Sequence, residues 1–164
     1  MVKAVLDLPA QHANVLSFLV ERIPPTEYSW VLTGSAGLRL QGVALPVHDL
    51  DLQTDGKTIF LLEKQLAQFM KTAVHIWKSE HTLSYHGQAE ISGLPVEILG
   101  DIRHRRPDDT WEAPLDLKQL RVWVDWHNLQ IPVLSLNHEA LAYEKMGRME
   151  KAELIRAALR KEST

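Results

Sequence analysis

The chain has 164 residues, 45% hydrophobic and 24% charged, with a net charge of −3 and no cysteine. That length supports one domain with its own core, and the charge gives no general basic field for nucleic acid. The missing thiols exclude disulfides, zinc–thiolate centres and cysteine nucleophiles. No apolar run approaches the roughly 18 residues a bilayer span needs, and Met1-Val2-Lys3 is not followed by a signal-type apolar region. A cytoplasmic protein is expected, with a single domain over 1–164. Its core is expected at about 26–135 and a C-terminal helical part at about 136–161.

Taken in chain order, Asp7 and Pro9 read as the start of a helix whose stripe is Leu8, Val15, Leu16, Leu19 and Val20, ended by Pro24-Pro25. Trp30, Val31 and Leu32 suit a buried strand. Thr33, Gly34 and Ser35 break it, and Ser35 reads as the N-cap of a short helix from Ala36 to Leu40 that Gly42 closes. A strand from His48 to Gln53 follows, in which Asp49 and Asp51 alternate with Leu50 and Leu52. Ile59, Leu61, Leu62, Leu66, Phe69 and Met70 repeat at helical spacing and predict a helix from about Lys57 to Lys71. Strands are then expected at Val74 to Lys78, Thr82 to Glu90 and Leu94 to Leu99, the last two joined at Ile91-Ser92-Gly93. Gly100 to Pro114 reads as an exposed loop.

A second hairpin is expected from Leu120 to Leu134 around His127-Asn128, with Pro132 placing its strand at an edge or taking it out of the sheet early. Ser135 or Asn137 caps a helix carrying Leu141 and Met146, Gly147 lies near its end, and a last helix runs from Met149 to Lys161. There is no internal repeat or low-complexity tract.

The chemistry concentrates in the strand–Gly-Ser–helix turn and in the two aspartates after it. Such a turn leaves backbone N–H groups free where the helix dipole favours phosphate. Asp49 and Asp51 share one strand face and repel each other, so a hard cation such as Mg²⁺ between them is the natural partner; a solvated polar face is the plainer alternative. In Leu94-Pro95-Val96-Glu97-Ile98-Leu99, Glu97 points away from the aliphatic face. As a sheet neighbour of the aspartates it would meet the same ions. Asp101 ranks below it as an extra ligand. The arginines Arg103, Arg105 and Arg106 read as phosphate or acceptor contacts or as parts of a solvated loop. Zinc is rejected, since no two histidines share a helical HxxxH spacing.

Gly34-Ser35, Asp49-Leu50-Asp51 and Glu97 together resemble the nucleotidyltransferase superfamily that includes DNA polymerase beta, and within it the small stand-alone domains. The resemblance spans about Ser29 to Glu153 and implies an α/β (α+β) nucleotidyltransferase fold. In it a mixed, twisted sheet carries helices mainly on one face, and C-terminal helices flank the cleft. It implies transfer of NMP, with ATP the foremost NTP, to a hydroxyl acceptor. Two Mg²⁺ or Mn²⁺ ions would be held by Asp49, Asp51 and Glu97, with Glu97 as a possible general base. It also implies phosphates on Gly34 and Ser35, with Lys145 and Arg148 facing the nucleotide. Where relatives carry an R-x-K-D pattern, this chain has Arg148-Met149-Glu150-Lys151. The acceptor, a small molecule, protein or RNA end, stays open, as does a homodimer or partner protein. The alternatives are a catalytically silent nucleotide-binding or antitoxin-like module and a phosphohydrolase on the same metals.

Overall fold

A computed structural model describes residues 2–162. One eight-stranded mixed sheet has the order β1-β7-β8-β2-β3-β6-β5-β4, with β1 Val2–Lys3, β2 Trp30–Thr33, β3 Leu50–Thr54, β4 Met70–Lys78, β5 Thr82–Ile91, β6 Leu94–His104, β7 Arg121–Trp126 and β8 Leu129–Leu134. The helices are α1 Ala10–Arg22, α2 Gly34–Leu40, α3 Thr58–Gln65, α4 Leu117–Leu120, α5 Leu136–Lys145 and α6 Met149–Glu162. This is the mixed α/β architecture expected, with the aspartate strand β3 in the interior of the sheet.

The core follows the apolar alternation. Leu50 and Leu52 of β3 and Val96 and Ile98 of β6 point to one face, where they join Leu16 and Leu19 of α1 and Ile59 and Leu62 of α3 in one buried cluster. Trp30, 1% exposed, anchors that layer and donates its indole N–H to the Ile23 carbonyl at 2.7 Å, so its one polar group is satisfied. A second cluster ties Leu38 of α2 to Ala140 and Tyr143 of α5 and Ile155 of α6. The opposite sheet face is left partly open beneath α5.

Both expected hairpins form. Ser92 and Gly93 have φ of 51° and 77°, and His127 and Asn128 have 48° and 62°. Positive φ at both central residues is what a tight hairpin turn needs to match strand twist.

Several boundaries differ from expectation. The Lys57 to Lys71 helix stops at Gln65, and after a 3₁₀ turn at Ala67–Phe69 the chain is already in β4 at Met70. Pairing with β5, which begins at Met70↔Ala89, overrides the helical spacing there. Pro132 lies in an interior strand, not at an edge: β8 pairs fully with β7 but with β2 only at Leu32↔Val133, so the missing N–H disrupts little. Asp7 caps no helix; its Oδ1 accepts from the Trp126 indole at 2.8 Å, tying the first loop to β7.

Candidate active site

Parallel pairing of β3 with β6 sets Asp51 directly beside Glu97, and antiparallel pairing with β2 sets it across from Thr33. Asp49 sits just before β3, which begins at Leu50 rather than His48. The turn after β2 places Gly34 at φ +66°, a conformation glycine adopts freely. A Cβ there would stand 2.2 Å from Asp51 Oδ2, so the carboxylate lies directly against the Gly34 backbone. The helix cap shifts by two residues: Thr33, in extended conformation, precedes α2, while Ser35 is buried in its first turn. Ser35 is therefore not the N-cap. Gly34 needs positive φ and already counts as the first helical residue.

These groups crowd charge. Burial, then the nearby Asp49, Glu97 and Glu139, push the Asp51 carboxyl up to about 7. Lys151 of α6 pulls the other way, and burial lowers its own proton affinity. His86 Nε2 pairs with Glu97 Oε2, and the His86 ring packs edge-on to His75 with centroids 5.6 Å apart. Among the described residues no three His, Asp or Glu side chains already converge as a closed metal cage. The donor chemistry nevertheless suits a hard divalent ion: oxygen ligands, like charges pressed together, and one carboxyl whose protonation such an ion would replace.

Glu139 of α5 escaped the sequence reading. It is 4% exposed, and its Oε1 accepts from Thr33 Oγ1 at 2.6 Å. Burial pushes its carboxyl up to about 7 against the pull of Thr33 and the Gly34 amide. The only sequence signal was a glutamate in the first turn of a capped helix, where the dipole alone accounts for it.

Of the C-terminal cations, Lys145 has a partner outside the carboxylate cluster. Lys145 turns from the carboxylates to pair with Glu112 at 2.9 Å. Arg148 lies over the Tyr143 ring at 5.2 Å, as does Lys151 at 4.9 Å. Lys151 is the cation whose charge reaches Asp49, Asp51 and Glu139. Its spacing from Arg148, one helical turn, was the missed signal.

Asp101 does not join the site either. β6 continues through His104, and between Leu83↔Arg103 and Tyr85↔Gly100 it carries an extra residue. At this bulge Asp101 adopts φ 49° and approaches Gly56. An extra residue reverses the face parity of everything after it, so Ile102 and His104 join Leu99 on the cleft side. The loop arginines mostly hold their own segment: Arg106 donates to the Trp111 carbonyl at 2.8 Å, and Arg105 lies 5.4 Å over the Trp111 ring.

From Asp51 and Gly34 a cavity of about 380 Å³ runs between the sheet and α5. An open depression of about 690 Å³ beside β1, lined by Asp7 and the His127-Asn128 turn, shares no lining residue with it.

The model of the family described as aminoglycoside-2''-adenylyltransferase matches residues 15–158. The chain belongs to that family. A crystal structure of the Thermotoga maritima protein TM1012, a candidate nucleotidyltransferase, is similar at 39% identity and a TM-score of 0.83, covering 96% of this chain and 98% of that one. The lincosamide antibiotic adenylyltransferase LnuA, solved with lincomycin bound, shares the fold at 14% identity and a TM-score of 0.53, over 91% of this chain and 99% of LnuA. No curated protein matches. This family member is a nucleotidyltransferase with a nucleotidyltransferase fold, which favours the enzyme over the silent module. No described helix is long and apolar enough to cross a membrane.

The carboxyls give a signed pH dependence. Asp51 and Glu139 hold protons in the folded state up to about pH 7, whereas their ordinary values are 3.8 and 4.5. Between those limits the native state binds more protons than the unfolded one, so their contribution to stability falls as pH rises and is lost above about 7. Burial holds His104 and His138 low, which acts in the opposite sense below their ordinary 6.5. The comparison therefore needs variants. Denaturant melts should show wild type losing on the order of 5 kcal/mol more between about pH 5 and 8 than Asp51→Asn/Glu139→Gln. Parallel pH profiles would show that neither carboxyl is held protonated.

Proposed function

We propose that the protein transfers AMP from ATP to a hydroxyl of a small-molecule acceptor. The reading is carried by one observation: Asp51 lies against Gly34, between Asp49 and Glu97, with its proton affinity raised by burial and by those neighbours. Asp49, Asp51 and Glu97 would hold divalent magnesium, which supplies charge neutralisation on the phosphates and a more acidic attacking hydroxyl. The Gly34-Ser35 backbone would carry the terminal phosphates at the start of α2. Lys151 takes the cationic role expected of Lys145, because its charge already reaches the carboxylates.

In the reaction the acceptor oxygen bonds to the α-phosphorus. The bond to the pyrophosphate oxygen breaks with its electron pair, and the acceptor proton passes to Glu97. His86 fixes the Glu97 carboxylate for this task. The family name and the LnuA complex suggest aminoglycosides and lincosamides as first acceptors to try.

The test is pyrophosphate release from ATP and Mg²⁺ across a panel containing an aminoglycoside, a lincosamide and aryl glycosides. Release should require an acceptor and give a product heavier by AMP. Release of orthophosphate, or equal turnover without acceptor, would make the protein a phosphohydrolase instead.

A further inference from the structure

We propose that the cavity between α5 and the β5–β6 hairpin is the acceptor pocket, shaped for a compact, ring-bearing alcohol with few or no positive charges, not for a polycationic aminoglycoside. This rests on the adenylyl-transfer reading above.

Position comes first. The terminal phosphates belong at Gly34, on the β2 side of Asp51, while Glu97 lies on the β6 side. In-line displacement brings the attacking oxygen from opposite the leaving pyrophosphate. The acceptor therefore approaches over β6 and β5. The cavity meets the phosphate site at Thr33, Gly34 and Asp51 and extends from there past Leu99 and Ile102 to His104, with Trp77 and Met146 on its walls; that outer part is the acceptor's.

Charge decides the class. Among the described lining residues the only carboxylates are Asp51 and Glu139. The first belongs to the metal site; the second is buried, with Oε1 on Thr33 and Oε2 unpartnered among the described residues, and burial pushes its carboxyl up to about 7. Glu112, near the far end, is already paired with Lys145 at 2.9 Å, and burial lowers the proton affinity of His104 and His138, with Glu112 and Lys145 acting on both in opposite senses. A polycation entering here would lose hydration and, beyond the metal site, meet no accessible unpaired carboxylate among the described lining residues in return.

A polar reader is nonetheless built in. His104 is 3% exposed, and its Nδ1 is buried with no hydrogen-bond partner among the described residues. Nδ1 itself has no surface open to the cavity, so a ligand would meet the rest of the imidazole ring that lines it. The walls are apolar, the polar groups few, and the volume suits a small ligand.

Imidazole NMR of the metal-free full chain tests this with four probes: phenyl glucoside, lincomycin, kanamycin and adenosine. Phenyl glucoside or lincomycin should shift the His104 and His138 signals and bind at least about tenfold more tightly than kanamycin. Ile102→Trp, which fills the cavity, and His104→Leu should each weaken that binding by about tenfold or more. Tighter binding of kanamycin, shifts produced by adenosine instead, or no shift with any probe would overturn the proposal. The turnover assay separates the two readings. Turnover on kanamycin alone keeps adenylyl transfer and overturns this pocket. Imidazole shifts with no turnover on any alcohol keep the pocket's ligand class but remove its role as acceptor site.

Discussion

In Asp51→Asn, adenylyl transfer should fall by about 10³-fold or more, equivalent to about 4 kcal/mol of transition-state stabilisation, while the metal-free protein becomes more stable. The two signs have one cause. Asp51 lies against Gly34, with Asp49 and Glu97 close enough to raise its proton affinity, and Lys151 is the cation that offsets them. Above about pH 7 its ionised form costs free energy unless a divalent ion is present. The neutral amide removes that cost, a gain on the order of 4 kcal/mol at about pH 8. Calorimetry of Mg²⁺ and a non-hydrolysable ATP analogue should show metal-dependent binding in wild type and none in the variant. If the variant loses stability together with activity, Asp51 is a packing residue. Undiminished turnover would remove it from the catalytic site.

Gly34→Ala should cost about 2–4 kcal/mol of stability and weaken nucleotide binding at least about tenfold. Two effects add. At φ +66° a methyl-bearing residue pays backbone strain of about 1 kcal/mol. The new Cβ would also stand 2.2 Å from Asp51 Oδ2, so the short aspartate must rotate away from its position. Gly147→Ala separates the terms: φ is +77° there, but nothing lies within 4 Å of the added carbon. That variant should lose only about 1 kcal/mol. Equal losses in both, measured by denaturant unfolding, would mean that Asp51 accommodates the methyl and that the carboxylate is not held against the turn.

The legible part of this protein was local. Trp30 to Leu32, the Thr33-Gly34-Ser35 break and the alternating Asp49 to Leu52 gave β2, the turn and β3, because period-two patterning and a glycine break act within a few residues of each other. The hairpins at Ser92-Gly93 and His127-Asn128 were legible for the same reason. Where longer-range pairing competed with local spacing, the reading slipped. Met70 satisfied a helical repeat, yet it was captured by β5.

The carboxylates were recognisable from their types and order, but the groups that tune them came from far along the chain. Glu139 reaches Thr33 across 106 residues, Lys151 reaches Asp51 from the last helix, and His86 meets Glu97 across the β5–β6 pairing. Nothing in a helical or alternating pattern encodes which distant side chain will face a given carboxylate.

By itself, then, the sequence determined the strands, the turn that exposes backbone amides, and the residue types able to bind phosphate and a hard cation, all properties of short-range geometry and side-chain chemistry. The tertiary structure decided which groups share one dielectric environment. Sheet order put Glu97 beside Asp51, the bulge at Asp101 reversed the face of β6 so that His104 entered the cleft, and the path of α5 and α6 brought Glu139 and Lys151 to the carboxylates and left Lys145 with Glu112. Proton affinity and ligand class follow from those through-space distances, which the order of residues along a chain does not specify.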